Sequence, residues 1–484
     1  MKQIMIDPVT RLEGHGKIAI FLNKEGNVEN AYLQVPELRG FERFCEGRRA
    51  EDLPIITPRI CGVCPVAHHM ASTKALDAAF NVEPPSAAKK LRELMYSGYY
   101  IYDHTLHFYF LGAPDFVVGP DAPPAERNIL GVIKKVGLDI AKEVIKHRAY
   151  GQKITAILGG KATHPTSGLP GGVSKGLTRE ERQEIEKMAE SSVEFAKFSL
   201  KVFDDVVLKN KKYVDLVLSD AYTLKTYYMG LVDDNNKVNF YDGKVRVVDP
   251  KGKEFVRFAP SDYLDVMEER VEEWTYVKLP YLKKVGWKGL VDGPTSGIYR
   301  VGPLGRLNAS EGMATPLAQQ EFARMYETLG GKPVHLTLAF HWARLIELLY
   351  AAERALELSR DKEITSKELR NKPGKPGEGV GIVEAARGTL IHHYKIDEEG
   401  LASKVNLIVA TTNNAPAICM SIRDAAKGLI HGPEVGEGLL NMVEMAFRAY
   451  DPCFGCATHF AIGQMPLEVR IYAHDRKLIK TLRR

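Results

Sequence analysis

Cysteine is scarce in this chain, with six in 484 residues, too few for a disulfide scaffold. No apolar run approaches the roughly 18 residues of a membrane span, and Met1-Lys2-Gln3-Ile4-Met5-Ile6-Asp7-Pro8 lacks the apolar core of a signal peptide. These absences argue against a disulfide-stapled or membrane-spanning protein and predict a reducing, cytoplasmic setting. An excess of one charge is missing too. The net charge of +5 resides mostly in residues 460–484, where six Lys/Arg accompany Glu468 and Asp475; elsewhere 60 basic residues meet 59 acidic ones. A near-neutral body argues against a nucleic-acid partner. Residues 159–165 (GGKATHP) and Pro170-Gly171-Gly172 look like a phosphate loop but lack the GxxxxGK[ST] spacing. No linker or composition shift marks a domain boundary in a chain that is 45% hydrophobic and long enough for a large core.

Four of the six cysteines come in two CxxC pairs, Cys61/Cys64 and Cys453/Cys456, separated by nearly four hundred residues. Converging thiolates are tolerable around a metal that neutralises them, and soft donors select zinc, copper(I), nickel or iron. A structural zinc ribbon would keep its two pairs about 15–20 residues apart. Here the global fold must assemble the site, with structural zinc as the plainer alternative.

Residues 17–22 and 27–35 alternate apolar and polar positions across Lys24-Glu25-Gly26-Asn27, a hairpin. Small and apolar residues at helical spacing over 65–80 place Cys61 and Cys64 at a turn entering a helix, with His68 and His69 in it as core or supporting histidines. Longer helices are predicted over 86–111, within 125–158, from a Thr178/Glu181 capping box, from 315 to 359 and over 437–450. The charges of 339–357 read as i,i+4 pairs on a solvated or interface face. A second hairpin is predicted around Asp249-Pro250-Lys251-Gly252, and a short buried strand over 406–410.

Arg59-Ile60-Cys61-Gly62-Val63-Cys64, with His68, fits RxCGxCxxxH, and residues 451–459 fit DPCxxCxxH. With Arg11-Leu12-Glu13-Gly14-His15 upstream, the chain resembles large subunits of nickel-iron hydrogenases, in particular the cytoplasmic, methyl-viologen-reducing and deazaflavin-non-reducing group. The resemblance runs from Asp7 to His459. It implies an α+β, predominantly helical fold, with long helices around a buried bimetallic site and small N-terminal and middle sheets. It also implies reversible, heterolytic oxidation of dihydrogen.

By the same resemblance, Cys61 and Cys453 bind nickel terminally, while Cys64 and Cys456 bridge it to an iron that carries carbon monoxide and cyanide. Glu13, otherwise a surface charge or a partner of Arg11, becomes the first acceptor of the departing proton. Arg387 lies above the metals and bonds a diatomic ligand, Thr411 holds another, and Asp115 sits over the site. Asp451, which opens the second motif, is counted with the catalytic residues. Glu42 and His459 bind magnesium, the solvated helix-end charge being the plain reading of Glu42. Most members carry proline where this chain has Ala386 and Ala410, which loosens the expected pocket.

The implied partners are an iron-sulfur small subunit beside residues 159–172, a further electron-transfer subunit, a heterodisulfide reductase as one candidate acceptor, and a maturation endopeptidase. That enzyme would cut after His459, leaving 1–459 as a single mature domain and releasing the extension 460–484. Its plainer reading is a retained edge strand over 467–471. A fold-related quinone-site subunit of a respiratory complex is the other alternative, opposed by the presence of all four cysteines.

Overall fold

Pro65, a proline at the first helical position, opens the helix Pro65–Ala79 directly behind Cys64. The computed structural model describes residues 2–432, 435–458, 468–472 and 478–483. Nearly every residue of Pro65–Ala79 is buried, because the helix lies across the strands Glu378–Ala385 and Gly388–Ile396. The approach needs glycine in the sheet. A Cβ at Gly379 would fall 2.2 Å from the Ala79 nitrogen, and one at Gly381 would fall 2.1 Å from the Ala71 oxygen. These contacts bring the first cysteine pair beside the two-residue turn Ala386-Arg387, which joins the two strands.

The rest of the frame is helical. Ser86–Leu106 packs against Leu138–Gly159 and Phe340–Arg360, and Arg179–Phe203 runs alongside these two. The Thr178/Glu181 capping box is present, with Glu181 N donating to Thr178 Oγ1 (3.1 Å) and Thr178 N to Glu181 Oε2 (3.0 Å). The expected helix over 86–111 ends at Leu106 and continues as two wider π-helical segments, His107–Gly112 and Pro114–Val118. The stretch 125–158 forms two helices, Ile129–Val136 and Leu138–Gly159, broken at Gly137 with φ +91°. The charges of Phe340–Arg360 are not all on a wet face: Arg344 and Glu347 are fully buried, because Glu347 pairs with Arg306 on another helix.

The sheets are small. Lys2–Ile6, Lys17–Leu22 and Val28–Gln34 form an antiparallel N-terminal sheet, which includes the predicted hairpin. The middle sheet pairs Tyr227–Val232 with Lys244–Val248 and then Glu254–Phe258, the hairpin expected around residues 249–252. Ala402–Ile408 adds a third strand beside Gly388–Ile396 and leads into the helix Ala410–Leu429. At the C-terminal end, Glu468–Tyr472 pairs with Leu478–Arg483 as a two-stranded sheet of its own. His459 lies outside the described residues.

Candidate metal centre

The two cysteine motifs meet in the core. The four Sγ atoms of Cys61, Cys64, Cys453 and Cys456 lie within 4.8 Å of one another, all buried. The Cys61–Cys453 and Cys64–Cys456 pairs are 3.5 Å apart, and all six cysteines of the chain are free. Thiolates bind first-row metals at about 2.3 Å, so this spacing suits four sulfurs sharing one or two ions. Against the cost of burial, the neighbouring thiols and Arg387 draw the Cys61 thiol well below its ordinary value. Burial and the adjacent sulfurs push Cys453 and Cys456 well above it. Protein charge alone favours the thiolate at Cys61 and the neutral thiol at Cys453 and Cys456, and four thiolates together would require metal cations.

Local geometry fixes each sulfur. The backbone N–H groups of Val63 and Cys64 donate to Cys61 Sγ at 3.2 Å, in the turn before the helix. Cys453 N donates to Thr411 Oγ1 at 3.0 Å, so Thr411, in the first turn of Ala410–Leu429, supports the second pair. Arg39 Nη1 spans both loops, donating to Ile60 O (2.6 Å) and Gly455 O (2.8 Å).

Glu13 lies against this cluster and makes no ion pair with Arg11. Its Oε2 accepts from Gly455 N at 3.0 Å and stands 3.0 Å from Cys453 Sγ, while its carbonyl accepts from Phe454 N at 2.9 Å. The closeness depends on glycine at position 455, where a Cβ would be 2.7 Å from Glu13 Oε1. Glu13 is half-buried. Burial and the Cys61 thiolate raise its carboxyl above the ordinary value, the direction that suits a group taking up a proton.

Arg387 is buried above the sulfurs. Its Nη1 donates to Asp103 Oδ2 and its Nη2 to Asp451 Oδ1, both at 3.1 Å. Despite burial, these carboxylates and the Cys453 and Cys64 sulfurs hold its pKa well above the ordinary value. Burial pushes the Asp451 carboxyl up as well, to about 7, against the pull of Arg387 and Arg344. Ala386 N donates to the Tyr99 hydroxyl at 3.0 Å, so the N–H that proline would lack has a built partner.

The structure separates other expected site residues from this cluster. Asp115 makes its hydrogen bonds and ion pairs to Arg11, Asn441 and Arg448, none of them to Arg387 or a cysteine. The carboxylate that joins Asp451 at Arg387 is Asp103, which the sequence reading missed. Asp103 belongs to the helix face of Tyr96, Tyr99 and Tyr100 by i,i+3/i+4 spacing, and an acid on that apolar stripe was the available signal. Glu42 is buried, which removes its reading as a solvated charge, and its Oε1 accepts from Leu407 N at 2.8 Å. Its expected co-ligand His459 is outside the described residues. His68 Nδ1 lies 3.1 Å from His392 Nε2, and His69 Nδ1 is 2.6 Å from Pro54 O. Both histidines are buried supports, each pushed down to about 4 by burial.

Comparison with known proteins places this geometry. The family described as nickel-dependent hydrogenase matches residues 39–129 and 142–459, and a HoxL-like family matches 3–38. An F420-non-reducing hydrogenase chain from Archaeoglobus profundus is 51% identical over 485 residues, covering 100% of both chains. The beta chain of the NAD-reducing hydrogenase HoxS of Cupriavidus necator is 40% identical, covering 99% of each. Among solved structures, an NAD+-reducing [NiFe]-hydrogenase in the H2-reduced state aligns with TM-score 0.90 and 37% identity, over 95% of this chain and 100% of that one. The Ni-Fe-Se hydrogenase from D. vulgaris Hildenborough aligns with TM-score 0.75 and 26% identity, again over 95% and 100%. These matches disfavour the structural-zinc and quinone-site readings. No helix among the described residues is long and apolar enough to cross a membrane. The chain belongs to the nickel-dependent hydrogenase family, as the catalytic large subunit of a nickel-iron hydrogenase.

Proposed function

We propose that Cys61 and Cys453 are terminal ligands of nickel, and that Cys64 and Cys456 bridge it to an iron whose other ligands are carbon monoxide and cyanide. The observation that carries this reading is the convergence of four buried sulfurs with Glu13 Oε2 3.0 Å from one of them. When bound, the metals supply the Lewis acidity that polarises dihydrogen toward heterolysis. Arg387, braced by Asp103 and Asp451, keeps a fixed positive charge and hydrogen-bond donors over the pocket and orients a diatomic ligand. Thr411 holds the Cys453 backbone and a second such ligand. A proton arriving at Cys453 Sγ or at Arg387 passes to Glu13, whose half-exposed carboxyl delivers it outward. Glu42 and His459 hold a magnesium ion, a hard cation that takes carboxylate and imidazole donors together with water.

Electrons leave through partner chains. Once four cysteines are assigned to the metals, Cys45 and Cys419 remain, too few to hold an iron-sulfur cluster. The cluster-bearing small subunit docks beside residues 159–172, Glu13 and the first CxxC. A further electron-transfer subunit follows, with a heterodisulfide reductase as one candidate acceptor, and the complex works in the cytoplasm. Residues 1–459 form the mature domain, and an endopeptidase removes 460–484 after metal insertion. Two facts support that cut: the family match ends at 459, and the extension carries six basic residues against two acidic ones, a charge costly to bury by the metals. Intact mass of the active complex should end at His459. A fully active chain ending at Arg484 would overturn the processing claim.

Glu13→Gln tests the proton route. Glutamine keeps the shape and hydrogen bonding but cannot take up a proton, so the complex should retain nickel and lose on the order of 10²-fold or more in turnover. Normal turnover together with normal dihydrogen–solvent isotope exchange would remove Glu13 from the route.

A further inference from the structure

The residue that sequence reasoning set over the metals has a different part to play. We propose that Asp115 is a positioning residue that holds the Glu13 carboxyl against Cys453 by clamping together the two loops that carry them. The inference rests on the reading of Glu13 as the first proton acceptor.

Three separated segments meet at Asp115, which is 1% exposed in the π-helical stretch Pro114–Val118. Its Oδ1 accepts from Arg11 Nη2 and, at 3.1 Å, from Asn441 Nδ2. Its Oδ2 accepts from Arg448 Nη1 at 2.8 Å. Arg11 stands two residues before Glu13, and Arg448 ends the helix Glu437–Arg448, which leads to Asp451 and Cys453. The clamp is cross-tied. Arg11 Nη1 donates to Leu111 O at 2.9 Å, Arg448 Nη2 to Glu444 Oε2 at 3.1 Å, and Thr10 N to Glu444 Oε1 at 2.8 Å.

Charge explains why this carboxylate is needed. Burial and the nearby Arg448 guanidinium depress Arg11 below its ordinary value, with Asp115 opposing both. Burial disfavours the Asp115 charge, yet Arg448 and Arg11 hold its carboxyl below the ordinary value. Without Asp115, the carboxylate left beside the two guanidiniums is Glu444, which bonds Arg448 and not Arg11, so their mutual repulsion is only partly offset. They would separate, carrying the Glu13 loop away from the Cys453 loop, and a displacement of about 1 Å at a reacting group can cost on the order of 10²-fold in rate.

The clamp can be measured apart from activity, because Phe454 N and Gly455 N donate to Glu13 O and Oε2. In the purified heteromeric complex, Asp115→Asn should keep its nickel, expose the Phe454 and Gly455 amides to roughly tenfold or faster hydrogen exchange, and lower turnover on the order of 10²-fold. Replacing one cation as well, in Asp115→Asn/Arg11→Gln, should restore much of the amide protection by removing the repulsion. Wild-type protection at both amides in Asp115→Asn would overturn the proposal. Should that variant fail to assemble, Arg448→Lys decides the matter: it keeps the charge but loses the planar fork, and unchanged amide protection there overturns the proposal too. Glu13→Gln separates the two ideas, since it leaves the Phe454 bond to the Glu13 carbonyl in place. Full turnover in Glu13→Gln would remove the relay, while the amide result still judges the clamp.

Discussion

Two buried clusters of charge meet at the turn between Ala385 and Gly388, and they are built on opposite principles. On one side, Arg306 donates to Glu347 through Nε and Nη2 (2.6 Å each), to Glu384 and Ala385 O through Nη1 (2.7 and 2.8 Å), and to Ala386 O at 3.3 Å. Its charge and every nitrogen are matched. On the other side, Arg387 has two carboxylate partners, with Nη2 3.1 Å from Asp451 Oδ1 and 3.0 Å from its Oδ2, but its Nε and Asp103 Oδ1 are buried without a hydrogen-bond partner among the described residues. Buried polar groups are normally satisfied. The Arg306 cluster is therefore read as structure, and the Arg387 cluster, with four sulfurs beside it, as a pocket shaped for something that is not protein.

The widest gap between the clusters should appear on the sulfur side. Cys64→Ser replaces a soft, anionic donor by a hard, neutral hydroxyl, which cannot bridge two metals as a thiolate does. Nickel and turnover should fall below detection while the large subunit remains folded. A Cys64→Ser complex with full nickel content and turnover would end the assignment of the metal site.

The next contrast sets one arginine against the other. Arg387→Lys keeps a charge but loses the fork that spans Asp103 and Asp451, so turnover should drop on the order of 10²–10³-fold with little change in unfolding temperature. Arg306→Met should do the reverse. Removing one partner of a buried ion cluster leaves Glu347 and Glu384 uncompensated, at a cost of about 3–5 kcal/mol, with nickel per folded molecule unchanged. If Arg306→Met strips nickel from folded protein, or if Arg387→Lys merely melts the chain, the division fails.

That division also marks what could be read from the sequence. The cysteines stand out as two CxxC pairs, whereas Glu13 and Arg387 were singled out only by resemblance to family motifs; the structure brings all of them together. Residues that brace them are chosen by tertiary partners and leave at most a faint local trace, such as one acid on an apolar helix stripe. Asp103 sits inside a helix between Tyr102 and His104, and its partner Arg387 is 284 positions away. Arg344 and Glu347 resembled solvated helix pairs because Arg306, which buries Glu347, belongs to another helix. Asp115 was assigned by resemblance alone, and no local pattern separated it from Asp103: it lies past Leu106 in the π-helical stretch Pro114–Val118, bonded to Arg11, Asn441 and Arg448, while Asp103 meets Arg387.

The smallest expected effect concerns the two remaining cysteines, and it tests whether thiols as such matter here. Cys45 and Cys419 are as buried as the other four cysteines, so burial does not separate the groups; environment does. Burial in apolar surroundings pushes each thiol up to about 12, with arginine pulling weakly the other way at both positions, so both stay protonated and act as small apolar fillers. Neither forms a disulfide, and neither belongs to the metal-capable group found among the described residues. Cys419→Ser should cost little, because its hydroxyl can take over the thiol's contact with the Leu33 backbone. Cys45→Ser must bury a hydroxyl beside Glu42 and Glu46, and should cost about 1–3 kcal/mol if no acceptor is met. Neither change should alter nickel content or turnover. Nickel loss in Cys419→Ser would mean that the metal pocket extends beyond the two CxxC pairs. Nickel loss in Cys45→Ser at normal stability would tie the helix Phe41–Cys45, and with it Glu42, to metal retention.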